Sequence, residues 1–156
     1  MEDCNAWMVP LRGNHRVAVG ELELVHVLPD PPELFPVLKA PRHCRQVFLW
    51  EGLVVPVFDL SLWLGEEGSD DSEDAHLGVF RYRPRGGQSL RYGSLIIEGA
   101  PRQVLVNDSQ ACGLPDGRES WHQVAHACFD YGGRPVPVLN LPRVLLMGQK
   151  LDLHPS

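Results

Sequence analysis

Residues Gly52–Leu64 read GLVVPVFDLSLWL, and the chain repeats this pattern at Gly133–Leu145 as GRPVPVLNLPRVL. Apolar residues alternate along the first part of each copy, which is typical of a strand with one face in a core. Asp59 or Asn140 then precedes a second apolar run, and such a residue accepts hydrogen bonds from the free N–H groups that open a helix. Each copy therefore predicts a strand followed by a short capped helix, with these valines pointing inward: Val55, Val57, Val136 and Val138.

The repeat extends upstream of the quoted residues. Each residue of the second copy lies 81 positions after its counterpart, as Gly133 does after Gly52, so that Phe48 matches Phe129 and Trp50 matches Tyr131. The repeated unit is thus a hairpin plus a helix. Because a repeat at half the chain length indicates two related subdomains, the sequence predicts a mostly β fold. Its halves are expected at about residues 15–64 and 78–147.

Other residues predict where regular structure stops. Pro56 and Pro137 have no N–H group to donate, so we expect each of them at a sheet edge or a bulge. Residues 66–76 begin with EEGSDDSED and offer no apolar anchor, which predicts an acidic flexible loop. Residues 148–156 are expected to form a C-terminal tail.

Composition limits the classes of function. The chain has 156 residues and a net charge of −6, whereas nucleic-acid binding normally needs a basic face. A local arginine run is interpreted as a solvated hairpin. No apolar run approaches the roughly 20 residues of a membrane span, and the first residues, MEDCNAW, do not resemble a secretory signal. We therefore expect a cytoplasmic protein that neither binds nucleic acid nor inserts into a membrane. The arginines are Arg81, Arg83, Arg85 and Arg91.

The sequence offers little chemistry for catalysis. His122 and His126 are four residues apart, but on a strand this separates them by about 13 Å, too far to share one metal ion. None of the motifs for phosphate loops, zinc proteases or serine hydrolases is present. We expect no catalytic residues, no cofactor and no metal. The cysteines form no CxxC pair, which favours free thiols, with two of them packed. They are Cys4, Cys44, Cys112 and Cys128, and the packed pair is Cys44 and Cys128.

The order of these features resembles the CheW-like chemotaxis adaptor family. Gln46–Leu60, QVFLWEGLVVPVFDL, is similar to the family signature G-V-I-N-L-R-G-x-I-x-P-V-x-D-L. Ala40-Pro41 lies where the family has its "aP" element. Tyr92–Gly99 resembles the G-L-x-V-D-x-V segment, and Gly133–Leu145 resembles the closing motif. The resemblance covers about residues 8–147 as a single domain.

This resemblance implies a fold of two five-stranded, SH3-like β-barrels with an apolar groove between them. It implies a non-catalytic adaptor that links the regulatory domain of a CheA-like histidine kinase to the signalling tip of chemoreceptors. One alternative is a divergent scaffold of the same fold with a non-receptor partner, in polarity or type IV pilus regulation. An alternative of another class is a small β-barrel enzyme or ligand-binding domain, which would need a deep polar pocket with convergent titratable groups.

The chain departs from the family pattern at two positions that can interact in family members. Glu51 stands where the family has arginine, and His26 stands where it has glutamate. The two substitutions can be independent losses of the family arginine and glutamate. Alternatively, His26 and Glu51 form the same acid–base pair with the two charges exchanged. Because the family arginine lies in the receptor-facing region, Glu51 places receptor binding in doubt.

We expect the partner-binding surface at apolar and substituted positions near the groove and the first hairpin. Trp50 is the candidate for an exposed aromatic anchor, since such anchors dominate interface energetics; packing against the second barrel is the alternative. The predicted residues are Leu24, Val25, His26, Val27, Trp50, Glu51, Val54 and Phe58.

Overall fold

The computed structural model describes residues 3–13, 15–28, 30, 32–65, 75–84, 89–115 and 120–149. Strands dominate these residues, as the alternating sequence pattern predicts. The strands are β1 Cys4–Leu11, β2 His15–Gly20, β3 Leu24–Leu28, β4 Phe35–Pro36, β5 Gln46–Trp50, β6 Leu53–Phe58, β7 Ala75–Tyr82, β8 Arg91–Glu98, β9 Arg102–Val106, β10 Ala125–Tyr131 and β11 Arg134–Leu139. The helices are α1 Leu60–Trp63, α2 Ser120–Val124 and α3 Leu141–Gln149, and a 3₁₀ turn spans Asp108–Gln110.

The strands form two sheets. The six-stranded sheet has the order β3-β7-β8-β6-β5-β4, and the five-stranded sheet has the order β10-β11-β2-β1-β9. In each sheet the second strand of the repeated hairpin pairs in parallel with a strand from elsewhere in the chain. Strand β6 pairs with β8 at Val57 and Ser94, and β11 pairs with β2 at Val138 and Ala18. All the other strand pairs within the two sheets are antiparallel.

The two sheets do not follow the halves of the chain. The N-terminal hairpin β1–β2 leaves the first half and pairs with β9 and β11 of the second. The six-stranded sheet therefore uses residues 24–98, and the five-stranded sheet uses both ends of the described chain. The halves expected at 15–64 and 78–147 thus describe the repeat of motifs and not the division into sheets.

The repeated unit itself is confirmed. Strands β5 and β6 and helix α1 recur as β10, β11 and α3 at the predicted offset. The backbone φ is positive at both central residues of each hairpin turn, 52° and 78° at Glu51-Gly52 and 62° and 82° at Gly132-Gly133. Positive φ at both positions defines a type I′ turn, whose twist matches that of the flanking strands.

Some sequence expectations need correction. Pro56 and Pro137 lie in strands with neighbours on both sides, not at an edge. This is tolerated because the parallel pairing begins only after each proline, at Val57 and at Val138. Strand β7 begins at Ala75 and so includes the last two residues of the expected 66–76 loop; residues 66–74 lie outside the described part of the chain. Likewise α3 reaches Gln149, and residues 150–156 of the expected tail are not described.

Three apolar clusters form the core. The largest lies between the sheets, since it joins Val9 and Val17 of the five-stranded sheet to Phe58 and Leu95 of the six-stranded sheet. Each sheet also has a smaller cluster of its own, around Phe129 in one and around the equivalent Phe48 in the other. Residues of β6 face two clusters, which explains why this strand is buried on both sides from Val55 onward.

Asp59 links the two sheets by a polar contact beside the main apolar cluster. Its carboxylate accepts a hydrogen bond from the Leu62 N–H at 3.2 Å and so caps α1, as predicted. The same carboxylate forms an ion pair with the Arg12 Nη2 at 3.2 Å, and Arg12 lies in the β1–β2 turn. The Ser61 hydroxyl donates to the Arg12 carbonyl at 3.2 Å. Asn140 caps α3 in the same way by accepting from the Arg143 N–H at 3.3 Å, without a charge.

We expect the two caps to differ in their contribution to stability. Asn140→Ala removes only a cap and should lower the free energy of unfolding by about 1 kcal/mol. Asp59→Asn keeps an oxygen for the cap but loses the charge opposite Arg12, at a cost of about 2 kcal/mol. Asp59→Ala leaves a largely buried arginine unpaired and should cost about 3–5 kcal/mol. Urea unfolding measures all three, and equal losses for Asp59→Ala and Asn140→Ala would contradict the linking role of Asp59.

Candidate functional site

The β5–β6 hairpin exposes apolar side chains on its outer face. Leu49 pairs directly with Val54, and each is 64% exposed. Their neighbours Phe48 and Val55 point the other way and are fully buried, because successive side chains of a strand alternate between its faces. Leu53 at the hairpin end is also exposed, but it pairs with Trp50 and so lies on the opposite face of the hairpin. We call Leu49 and Val54 the hairpin patch.

The neighbouring edge strand extends this apolar surface. Phe35 of β4 pairs with Val47 of β5 and is exposed, and Leu38 follows shortly after β4 and is also exposed. Of the nine large apolar residues that are exposed in the described chain, five lie on or beside β4, β5 and β6. Such a concentration is unusual on a monomer surface and is typical of a site that contacts another macromolecule.

Trp50 supports the hairpin from within. Its ring lies 5.5 Å from that of Tyr92 on β8, and it packs against the cluster of the six-stranded sheet. Trp50 is therefore half-buried within its own sheet, which corrects both the exposed anchor and the packing against the second barrel that we considered. A pair of rings at this distance contributes about 0.5–1.5 kcal/mol beyond its area burial, so the contact with Tyr92 helps to attach the hairpin to its sheet.

The remaining predicted surface residues divide by burial. Phe58 is 1% exposed and belongs to the main core, because it faces the other sheet; this corrects its expected place on the binding surface. Leu24 and Val27 are half-buried and pack against the same core. The exposed members are Val25, His26, Glu51 and Val54.

The structure does not bring these exposed residues together. Val25 and His26 lie on β3, at one end of the six-stranded order, whereas Glu51 and Val54 lie on the hairpin near the other end. Neither an ion pair nor a hydrogen bond joins His26 to Glu51. The reversed acid–base pair of His26 and Glu51 is therefore not formed in this structure.

Sequence reasoning missed several residues of the apolar surface. Leu49, Leu53 and Phe35 were not predicted, although the register of the hairpin contained the signal for Leu49. If Val55 points inward, Val54 points outward, and the residue opposite Val54 in a two-residue hairpin is Leu49. Phe35 carries no such signal, because β4 is only two residues long.

A cavity of about 400 Å³ lies beside Asp59, at the start of β7 and the end of β8. Its charged and polar lining consists of Arg12, Arg42, His43, Arg45, Gln46, Asp59, His76 and Glu98. Several of these groups already serve the fold, since Asp59 binds Arg12 and also donates its backbone N–H to the His43 carbonyl at 2.7 Å. The Ser61 hydroxyl beside them donates to a backbone carbonyl. Among the described residues, no group of three His, Cys, Asp or Glu side chains is placed to hold a metal ion.

His43 is held between aromatic rings on the wall of this cavity. Its ring centroid lies 5.1 Å from that of Phe58 and 5.0 Å from that of Trp63. Burial lowers the pKa of His43 below its ordinary value of 6.5, and the nearby Asp59 carboxylate opposes this shift only in part. The neutral imidazole is thus the form that the folded state favours.

The fold and this surface can now be compared with known proteins. The model of the CheW-like domain family matches residues 7–149. The chain belongs to the CheW-like domain family. The crystal structure of the scaffolding protein TtCheW from Thermoanaerobacter tengcongensis superposes with a TM-score of 0.73 over 90% of each chain, at 11% sequence identity. None of the curated proteins compared with the chain matches it significantly.

These comparisons confirm the predicted fold, two SH3-like subdomains in a mostly β chain, and the predicted family. The match to the CheW-like domain family supports a chemotaxis-type adaptor. None of the described helices has the length and apolar character that crossing a membrane requires.

Substitutions at the equivalent first positions of the two hairpin turns should change stability in opposite directions. Glu51 adopts a left-handed φ that suits Asn or Gly, so Glu51→Asn should stabilise the protein by about 0.5–1 kcal/mol. The equivalent Gly132 has nothing within 4 Å of an added Cβ, so Gly132→Glu tests the backbone alone and should cost about 1–2 kcal/mol. Urea unfolding with unchanged m-values measures both. Unchanged stability in Gly132→Glu would contradict the cost assigned to a side chain at this left-handed position.

The environment of His43 predicts a pH dependence. Because its pKa is lower in the folded state, the unfolded state binds more protons below about pH 6.5, and stability should fall as the solution is acidified. His43→Phe keeps an aromatic ring between Phe58 and Trp63 but cannot titrate. The free energy of unfolding of the wild type should therefore fall more steeply than that of His43→Phe between about pH 7 and pH 5. Parallel pH profiles for the two proteins would contradict this assignment.

Proposed function

We propose that this chain is a non-catalytic scaffold that binds the regulatory domain of a CheA-like histidine kinase through the hairpin patch. The observation that supports this best is the pair Leu49 and Val54, opposite each other and both largely exposed on a hairpin that Trp50 holds in place. The kinase domain is proposed because it is a typical partner of CheW-like scaffolds and is expected to share their fold.

The hairpin patch has the physical properties of an interface core. Apolar side chains that leave water on binding contribute about 25 cal/mol per Å², and a rigid hairpin loses little conformational entropy on binding. The polar turn residue Glu51 stands at the rim of the patch, where charges direct the choice of partner more than they add affinity. The surface is therefore suited to a partner with an apolar groove or strand edge.

Coupling to chemoreceptors is the second part of the proposal, and Glu51 bears directly on it. Glu51 lies exposed on the hairpin turn where the family has an arginine. A receptor surface that complements an arginine meets a carboxylate here, which repels an acidic contact. We propose that binding to the receptor tip is weaker in this chain than binding to the kinase, which corresponds to the divergent scaffold with a non-receptor second partner.

The ligand-binding alternative rests on the cavity beside Asp59. Two of the charged residues that line this cavity, Arg12 and Asp59, are already paired with each other in the contact that joins the sheets. Opening that link to bind a ligand would weaken the frame, so we place this alternative second to the scaffold.

The proposal predicts a selective loss of binding. Leu49→Asp places a charge in the centre of the hairpin patch and should weaken binding to a purified CheA-like regulatory domain at least about 30-fold, the equivalent of 2 kcal/mol at a hot spot. The matched control is Leu105→Asp on β9 of the other sheet, where the leucine is 61% exposed. This control should bind as the wild type does, and isothermal titration calorimetry measures both.

Each other outcome contradicts a defined part of the proposal. Normal binding by Leu49→Asp together with loss in Leu105→Asp would place the kinase site on the five-stranded sheet. Failure of the wild type to bind the kinase domain would overturn the scaffold proposal. A receptor-tip peptide titrated in parallel should bind more weakly than the kinase domain, and equal or tighter binding would contradict the role assigned to Glu51.

A further inference from the structure

Two cysteines from different segments meet at the edge of the five-stranded sheet. The sulfur atoms of Cys112 and Cys128 lie 3.3 Å apart, although the residues are 16 positions apart in sequence. Both are free thiols in this structure. The Cys112 N–H donates to the Cys128 carbonyl at 3.0 Å, which fixes the two backbones side by side.

The contact forms part of a short cover over the outer edge of β10. Strand β10 ends the five-stranded order, so its outer side lacks a full-length neighbour. Residues 110–112 run antiparallel along it: the Gln110 Nε2 donates to the Asp130 carbonyl at 3.1 Å, and Ala111 forms an isolated bridge with Phe129. Few polar contacts hold this cover in place.

The two thiols have different access to solvent. Cys112 is exposed, whereas Cys128 is 6% exposed. Burial raises the pKa of Cys128 to about 12, and the neighbouring Cys112 thiol adds to the shift. Cys128 is thus protonated at neutral pH, and a reagent in solution meets Cys112 first.

We propose that Cys112 and Cys128 form a reversible disulfide that locks residues 110–112 onto the edge of β10. The sulfurs need to approach from 3.3 Å to the bonded distance of about 2.05 Å, a shift within the reach of side-chain rotation. The oxidant is a low-molecular-weight disulfide of the glutathione class. In a reducing compartment such pairs form transiently and serve sensing, not structure.

The reaction balances in two exchange steps. The Cys112 sulfur attacks one sulfur of the small disulfide, its S–S bond breaks, and the departing thiolate takes the proton that Cys112 releases. The Cys128 sulfur then attacks Cys112 in the mixed disulfide and expels the second small thiol, which takes the proton of Cys128. The two protein thiols are oxidised, and the small disulfide is reduced to two thiols.

The lock controls access to a sheet edge. An uncovered strand edge presents unpaired N–H and C=O groups to which another strand can add. With the disulfide formed, residues 110–112 stay on β10 and cover its edge beside residues 128–130; after reduction, the cover is held only by its hydrogen bonds. The redox state of the pair therefore controls how firmly this part of the edge is covered.

The test is oxidation of the full chain with oxidised glutathione, followed by intact mass and peptide mapping. The double variant Cys4→Ser with Cys44→Ala should lose about 2 Da through a Cys112–Cys128 bond. Peptide mapping should find the same bond in the wild type, where the exposed Cys4 can carry a glutathione of its own. The bond closes a loop that typically raises the melting temperature by about 6–12 °C in a chain of this size. Amides of residues 110–112 and 128–130 should exchange more slowly with solvent after oxidation.

Two single variants make the proposal falsifiable even if one of them folds poorly. Both are made in the Cys4→Ser, Cys44→Ala background. Cys128→Ser should stop at a glutathione adduct on Cys112, and Cys112→Ser, at an exposed position, should form neither the adduct nor the bond. A bond that involves Cys4 or Cys44, a dimer linked between chains, or a wild type that stays at the Cys112 adduct would overturn the proposal. An unchanged melting temperature in the bonded protein would overturn the lock.

Discussion

The carboxylate of Asp59 is the polar contact on which the two-sheet arrangement depends. It starts α1 by capping it and holds Arg12 of the N-terminal hairpin, so that one residue connects local helix formation to the packing of the sheets. Apolar burial between the sheets supplies most of the stability but little direction. The ion pair of Asp59 with Arg12 adds a directional contact between α1 and the N-terminal hairpin. The equivalent Asn140 caps α3 with a neutral side chain.

Much of this architecture could be predicted because the responsible signals are local. The alternation of Val55 and Val57, the cap at Asp59 and the two-residue turns all act within a few residues, and the repeat doubled each signal. The pairing of the N-terminal hairpin with strands of the second half could not be predicted, because the sequences of β1 and β2 do not indicate which distant strand pairs with them. The placement of Pro56 in the sheet interior was missed for the same reason: it depends on where the pairing of a distant strand begins.

The candidate surface was predicted less well than the fold. Val54 and Phe58 lie four residues apart on one face of β6, but Phe58 is in the core between the sheets and Val54, near the hairpin turn, is exposed. Strand periodicity predicts which residues share a face, but it does not predict how far along the strand a second sheet will cover that face. Glu51 was recognised as unusual from the family pattern, and the structure adds a physical reason, since its left-handed backbone conformation is one that the second copy gives to glycine. A residue such as Glu51, whose left-handed conformation lowers stability, is a candidate for a role in function.

The exchanged hairpin has a consequence for the order in which the strands can pair. All strands of the six-stranded sheet lie between residues 24 and 98, so this sheet can form without either end of the five-stranded sheet. Strands β1 and β2 can form their own hairpin, but β2 completes its sheet only when β11 reaches it, through a pairing of Ala18 with Val138. Contacts between residues so distant in sequence are slow to form, because the intervening chain must first be brought together. The five-stranded sheet should therefore be the later of the two to close, and the β11-facing edge of β2 stays open until it does.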